Sequence, residues 1–370
     1  MQKHCRLDEI SLPRHGGRVD EAAEKLGVDP QSIIDFSANM NPLAPPESLD
    51  RLLKEGMNSL GLYPDYRYKK FREAVVEFLD KENGVSLDLK NVIPGNGSAE
   101  IFRLALQALV AGGGERVLVP FPTFSEYASQ AQLVGLKVDR VEYEDLFACK
   151  QKELSGYEMV FLCNPNNPTG VLREKDLLLD FVSRCLDVDT FVLLDEAFIE
   201  LSDPGESLVE SKKRFPNLVI VRSLTKVFTI PGLRIGYAIA TGKLRDRMEK
   251  LRLPWNLNCF ASLVGSDFLK NERNLLESSR EFIDKEREWL YQKLGQLGFS
   301  VSNSSTNFLL FNTKDVGVPA PDLVNQCLDH NVLIRNADSF YGLDEWYVRV
   351  AVKQGEENKK LIEALTQSIG

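Results

Sequence analysis

Between residues 90 and 240 the chain carries five short, uninterrupted apolar runs: RVLVP (116–120), EMVFLCN (158–164), TFVLLDEAF (190–198), LVIVRSL (218–224) and RIGYAIA (234–240). A strand with one wet face alternates apolar and polar residues, so runs without alternation belong to strands covered on both faces. Between them lie amphipathic stretches of helical period, such as SAEIFRLALQALVAG (98–112) and EKDLLLDFVSRCLD (174–187). Strand–helix–strand repetition of this kind predicts an α/β fold, with a mostly parallel sheet flanked by helices. The same inference locates the chemistry, because ligands of open α/β sheets bind beyond the carboxyl ends of the strands.

From about residue 265 the pattern changes. A charged helix expected over 274–296 precedes TNFLLFN, a helical DLVNQCLDH, the short runs VLIR and WYVRVAV, and a last helix in EENKKLIEALTQSI. These read as a smaller α/β domain with antiparallel strands. IIDFSANMNPLAPP (33–46) reads as chain crossing between domains. The expected division is an N-terminal segment 1–44 packed on the small domain, a large domain 45–264 and a small C-terminal domain 265–370.

Composition narrows the partners. Forty-five basic against 54 acidic residues give a net charge of −9, which disfavours nucleic acid or an anionic membrane as the main partner. A small anion held by a few local arginines remains open. The six cysteines show no CxxC spacing, and His4, His15 and His330 form no metal-ligand pattern. With no apolar leader in MQKHCRLDEISLPRHGG, the expectation is a metal-free cytoplasmic protein with reduced thiols.

Several strand ends carry polar residues that need an explanation. VIPGNGSAEIF (92–102) runs strand, glycine turn, helix start, so Gly97 and Ser98 would present free N–H groups to a phosphate. The pattern is GxGxxE, which fails as a dinucleotide fingerprint. CNPNNPTG (163–170) holds its asparagine amides in orientation between prolines. Asp195 follows four apolar residues, and an ionised carboxylate there requires a cationic partner. Lys226 follows another apolar run, where a partly dry amine becomes a usable nucleophile. Taken singly, these have plainer readings: a connector turn, a helix N-cap, a lysine whose stem lies along apolar surface. Together they match one cofactor, pyridoxal 5'-phosphate, with the lysine bonding its aldehyde and the aspartate keeping its ring nitrogen protonated. Arg234, Ser223 and the 97–98 turn would neutralise its phosphate.

CNPNNPTG, LLDEAF and SLTK…PGLRIGY resemble, over nearly the whole chain, the signatures of fold-type I aminotransferases of classes I and II. The resemblance implies a homodimer with shared active sites, Lys226 as the lysine bonded to the cofactor, and Asp195 as partner of the pyridine nitrogen. It implies Asn167 as donor to the ring hydroxyl, Phe124 as the stacking ring, and Tyr63 as the tyrosine lent by the neighbouring subunit. Within the family the chain is similar to threonine-phosphate decarboxylases of cobalamin synthesis and to histidinol-phosphate aminotransferases. RHGG (14–17), DFSANMNPL (35–43), LPWNLN (253–258) and Phe198 in place of a tyrosine resemble the decarboxylases, whereas Arg18 stands where they commonly have asparagine. By the same resemblance Arg349 would bind the substrate carboxylate, and Arg335, with His15 and Asn39, a second anionic group. The expected reaction is decarboxylation of L-threonine O-3-phosphate to (R)-1-amino-2-propanol phosphate. Transamination of a phosphorylated substrate is the rival, and a non-catalytic binding protein of the same fold is a third reading.

Overall fold

The computed structural model describes residue 10 and residues 12–370; His4 and Cys5, expected to be unligated and reduced, lie outside the described residues. Its strands are β1 (Ile34–Asp35), β2 (Val92–Gly95), β3 (Arg116–Phe121), β4 (Lys137–Glu142), β5 (Met159–Cys163), β6 (Phe191–Asp195), β7 (Leu218–Ser223), β8 (Gly236–Ile239), β9 (Ser300–Val301), β10 (Phe308–Asn312), β11 (Val332–Leu333), β12 (Arg335–Asn336) and β13 (Tyr347–Ala351). Seven of them form one sheet in the order β2-β8-β7-β6-β5-β3-β4.

All five apolar runs lie in this sheet, and four of them pair in parallel. The fifth, β8, runs antiparallel to both β7 and β2; a doubly covered strand looks the same in sequence whichever way it points. Along each central strand alternate side chains enter two separate cores. Met159, Phe161, Leu193 and Val219 pack on one face, and Val160, Leu162, Leu194 and Ile220 on the other. Truncating one of these, such as Phe161→Ala, would cost about 3–5 kcal/mol. The edge strand β4, KVDRVE, alternates and is only partly buried, as an edge with one wet face should.

A second, antiparallel sheet has the order β12-β13-β10-β9 over its own apolar core. The N-terminal chain runs beside this unit. β1 pairs in parallel with β11, and the Ala351 N–H donates to the Phe36 carbonyl at 2.8 Å. The helix Arg273–Gln296 joins the two units, since Leu276 and Ile283 lie in a core of the larger sheet while Leu290 and Leu294 lie in that of the smaller. Among the described residues, no helix is long and apolar enough to cross a membrane.

Candidate active site

A cavity of about 360 Å³ opens where the carboxyl ends of β5, β6 and β7 face the smaller sheet. Eleven of the thirteen residues singled out above line it, namely Lys226, Asp195, Asn167, Ser98, Phe124, Ser223, Arg234, Arg349, Arg335, His15 and Asn39. Gly97 lies behind the wall and Tyr63 elsewhere.

One end of the cavity is built for an anion. Helix Ser98–Val110 starts here, after Gly97 at φ +79°. A Cβ on Gly97 would come 2.3 Å from Arg234 Nη2, so glycine is what lets this guanidinium lie across the helix start. Arg234 is itself left-handed at φ +56°, a strained conformation for a long side chain. The Ser223 and Thr225 hydroxyls meet at 2.8 Å beside it. A helix N-terminus, a guanidinium and two hydroxyls are the kinds of group that hold a phosphate. Thr225 escaped the sequence reading because Ser/Thr pairs near a strand end are common.

The acid at the other end has no ion-pair partner among the described residues. Asp195 is 3% exposed. Its carboxylate accepts from Tyr127 Oη at 2.6 Å and from the Ala197 N–H at 3.1 Å. Burial outweighs these bonds and pushes the carboxyl up to about 7. A protonated ring nitrogen would supply the missing positive partner. Tyr127 also escaped notice; the available signal was the requirement of a buried acid for a donor, with FSEY placing a phenol one helical turn after Phe124.

Lys226 sits in the helical turn Leu224–Val227 directly after β7. Burial first, then the nearby Arg349 and Arg234, lower its ammonium to about 8, against a smaller opposing pull from Asp35. Its carbonyl accepts the Asn41 N–H at 3.0 Å, which ties the N-terminal segment to this turn. In CNPNNPTG the asparagines divide the labour. Asn164 and Asn166 brace the loop through Arg173, Pro122 and Thr169, and Asn167 faces the cavity. Its Oδ1 accepts from Arg349 Nη1, which leaves its amide N–H groups as donors to a ligand.

Arg335 and Arg349 are directly opposed in the β12–β13 register, with the Phe340 ring 5.7 Å from each guanidinium carbon. Like charges opposed across a sheet are destabilising. Neither forms an ion pair among the described residues, and burial lowers Arg335 to about 10 and Arg349 to about 9. Among the described residues, Arg349 Nε and Asn39 Oδ1 are buried without hydrogen-bond partners. Two buried guanidiniums thus stand at the cavity wall without an ion pair among the described residues, an environment suited to anionic groups. Arg335 also donates to the Arg14 carbonyl, which draws the RHGG segment over the opening. Gly16 passes so close to Ser37 that a Cβ would lie 2.1 Å from its carbonyl oxygen. His15 Nε2 donates to Glu126 Oε1 at 2.8 Å.

Three positions differ from, or refine, the sequence reading. Phe198 lines the cavity and packs edge-on against Phe308 at 5.1 Å, offering no donor. Arg18 is not among the residues lining the cavity; it pairs with Glu21 at the start of helix Val19–Leu26. Tyr63 is 80% exposed and packs, tilted by 33°, against Trp255 at 4.6 Å, outside the cavity of its own chain.

Comparison with known proteins agrees with this geometry. The family model of aminotransferase class I and II matches residues 31–365. The chain is 31% identical to a threonine-phosphate decarboxylase of Salmonella typhimurium, over 95% of each chain. It is also 31% identical to a histidinol-phosphate aminotransferase of Clostridium acetobutylicum whose crystal structure superposes with a TM-score of 0.81, covering 90% of this chain and 98% of that one. A histidinol-phosphate aminotransferase of Sinorhizobium meliloti, solved in complex with pyridoxal 5'-phosphate, shares the fold at a TM-score of 0.83 and 22% identity, covering 97% of this chain and 95% of that one. The chain therefore belongs to the class I and II aminotransferases, pyridoxal-phosphate-dependent enzymes of fold type I.

Proposed function

We propose that the chain decarboxylates L-threonine O-3-phosphate to (R)-1-amino-2-propanol phosphate and carbon dioxide. The observation that carries this reading is the opposed pair Arg335–Arg349, which suits a substrate bearing both a phosphate and a carboxylate. Phe198 supports it, as does similarity to the Salmonella decarboxylase.

Pyridoxal 5'-phosphate supplies an aldehyde for the substrate amine and a ring that accepts electrons from the bond being broken. Lys226 would hold it covalently, with Asp195 at its ring nitrogen and Asn167 at its ring oxygen. Ser98, Ser223, Arg234 and the Gly97 turn would hold its phosphate, and Phe124 would stack on its ring. Phe198 leaves the ring oxygen without a phenolic donor. Arg349 would grip the substrate carboxylate, while Arg335, His15 and Asn39 hold the phosphate. Anchoring both ends would fix the orientation of the bonds at Cα, and hence which of them breaks. When carbon dioxide leaves, one proton must replace it at Cα. The Lys226 ammonium, lowered to about 8, would still hold a proton at neutral pH and give it up readily, so Nζ is suited to deliver it.

The same reading includes the three-part division 1–44, 45–264 and 265–370, a cytoplasmic location, and a homodimer in which Tyr63 reaches the neighbouring cavity. An exposed apolar group of Met57, Leu60, Leu62, Tyr63, Leu253 and Trp255 is suited to that contact. Transamination of a phosphorylated substrate is the second reading, favoured by the 31% identity to the Clostridium aminotransferase. Incubation of the holoenzyme with O-phospho-L-threonine and no oxo acid separates the two. We expect steady carbon dioxide release over many turnovers; release of none, with turnover appearing once 2-oxoglutarate is added, would overturn the decarboxylase reading.

A further inference from the structure

Glu126 puts a second carboxylate, besides Asp195, on a cavity wall whose cationic residues are four arginines and a lysine. It lies on helix Glu126–Leu133 and is 9% exposed. Both of its oxygens are engaged: Oε1 accepts from His15 Nε2 at 2.8 Å and Oε2 from Gln130 Nε2 at 2.6 Å. Gln130 in turn accepts from Arg103 Nε at 2.8 Å. Burial acts to raise this carboxyl, but the bonds from His15 and Gln130 outweigh it and hold it below the ordinary range, so the acid stays ionised and acceptor-only.

The His15 side chain, by contrast, is half exposed and comes from a glycine-flanked segment without regular structure. What orients its ring is Glu126, 111 residues away in sequence, with the Phe124 ring tilted beside it at 6.1 Å. The other charged groups around it are Arg14 and Arg335 at the mouth, with Arg103 behind Gln130. A bare carboxylate here would repel an anionic substrate. Bonded to His15 and backed by Arg103 through Gln130, it instead holds an imidazole in place over the opening.

We infer that Glu126 is a positioning residue of the substrate-phosphate subsite, acting through His15 to set the affinity for the phosphorylated end of the substrate. The inference rests on the proposed reading of the cavity as a phospho-amino-acid site. Since the Glu126 carboxylate bonds to His15 and Gln130 and to none of the residues assigned to the cofactor, its loss should appear in KM rather than in kcat.

The test is a double-mutant cycle on the holoenzyme with Glu126→Ala, His15→Ala and the pair, together with Glu126→Gln, whose amide oxygen can still accept from the imidazole. Loss of one charge-assisted bond predicts about a tenfold rise in KM for O-phospho-L-threonine in Glu126→Ala, with kcat changed less than about twofold. The Ki of inorganic phosphate should rise in parallel, Glu126→Gln should fall between wild type and Glu126→Ala, and the double variant should be no weaker than His15→Ala. Fully multiplicative effects, or an unchanged Ki for phosphate, would overturn the inference. Should the enzyme transaminate histidinol phosphate and not decarboxylate, the reaction reading fails on its own. The same cycle run with histidinol phosphate and inorganic phosphate would then still decide the role of Glu126.

Discussion

Replacing Asp195 with asparagine in the cofactor-free chain should stabilise it at neutral pH, although Asp195 is a residue the cofactor is expected to need. The carboxyl is pushed up from an ordinary 3.8 to about 7, first by burial, with the bonds from Tyr127 and Ala197 opposing. A gap of roughly three pKa units corresponds to about 4 kcal/mol of destabilisation once the group is ionised in both states. The sign follows from the folded value lying above the unfolded one. No penalty applies below about pH 4; it grows as pH rises toward 7 and is constant above. Between pH 5 and pH 8 the wild-type chain should therefore lose about 2.5 kcal/mol relative to Asp195→Asn. Urea unfolding of both cofactor-free proteins at the two pH values measures this difference, and the remaining titrating groups cancel in it. Parallel stabilities across that range would refute the idea that Asp195 is a buried acid awaiting a cation. Adding pyridoxal phosphate should reverse the order, because a protonated ring nitrogen gives the carboxylate its partner and gives asparagine none.

Other consequences concern neighbouring residues. With the Lys226 ammonium lowered to about 8, the rate of covalent pyridoxal-phosphate uptake by the cofactor-free chain should rise with pH through about 8. Lys226→Ala should leave no borohydride-stable label on that peptide. In Gly97→Ala the new Cβ would meet Arg234 Nη2; cofactor affinity should fall about tenfold or more, with little change in far-UV circular dichroism, by titration of cofactor absorbance. Beneath the site, Arg222 is buried between Glu196 and Glu200. Arg222→Ala would strand two buried carboxylates and should cost about 3–5 kcal/mol, read by urea denaturation.

The central sheet was legible because strands covered on both faces leave continuous apolar runs, and the polar residues ending those runs stand at the cavity. The direction of β8 was not legible, since burial on two faces says nothing about polarity along the chain. Nor does composition mark the edge strand β4, whose alternation Lys137–Glu142 is short and charged. In the site, Lys226, Asp195 and Asn167 were legible because each lies in a compact local motif. Tyr127 and Glu126 were not, because what makes them matter is a partner 68 or 111 residues away, met only after folding. Arg335 and Arg349 were individually visible, but their opposition depends on the register of two short strands.

Decarboxylation requires this cavity to cleave the bond from Cα to the carboxylate while the substrate keeps its amine. Carboxyl-labelled O-phospho-L-threonine given to the holoenzyme without any oxo acid distinguishes the outcomes. One labelled carbon dioxide and one 1-amino-2-propanol phosphate should appear for each substrate consumed. Retention of the label in an oxo acid, with the amino group passed to the cofactor, would contradict decarboxylation.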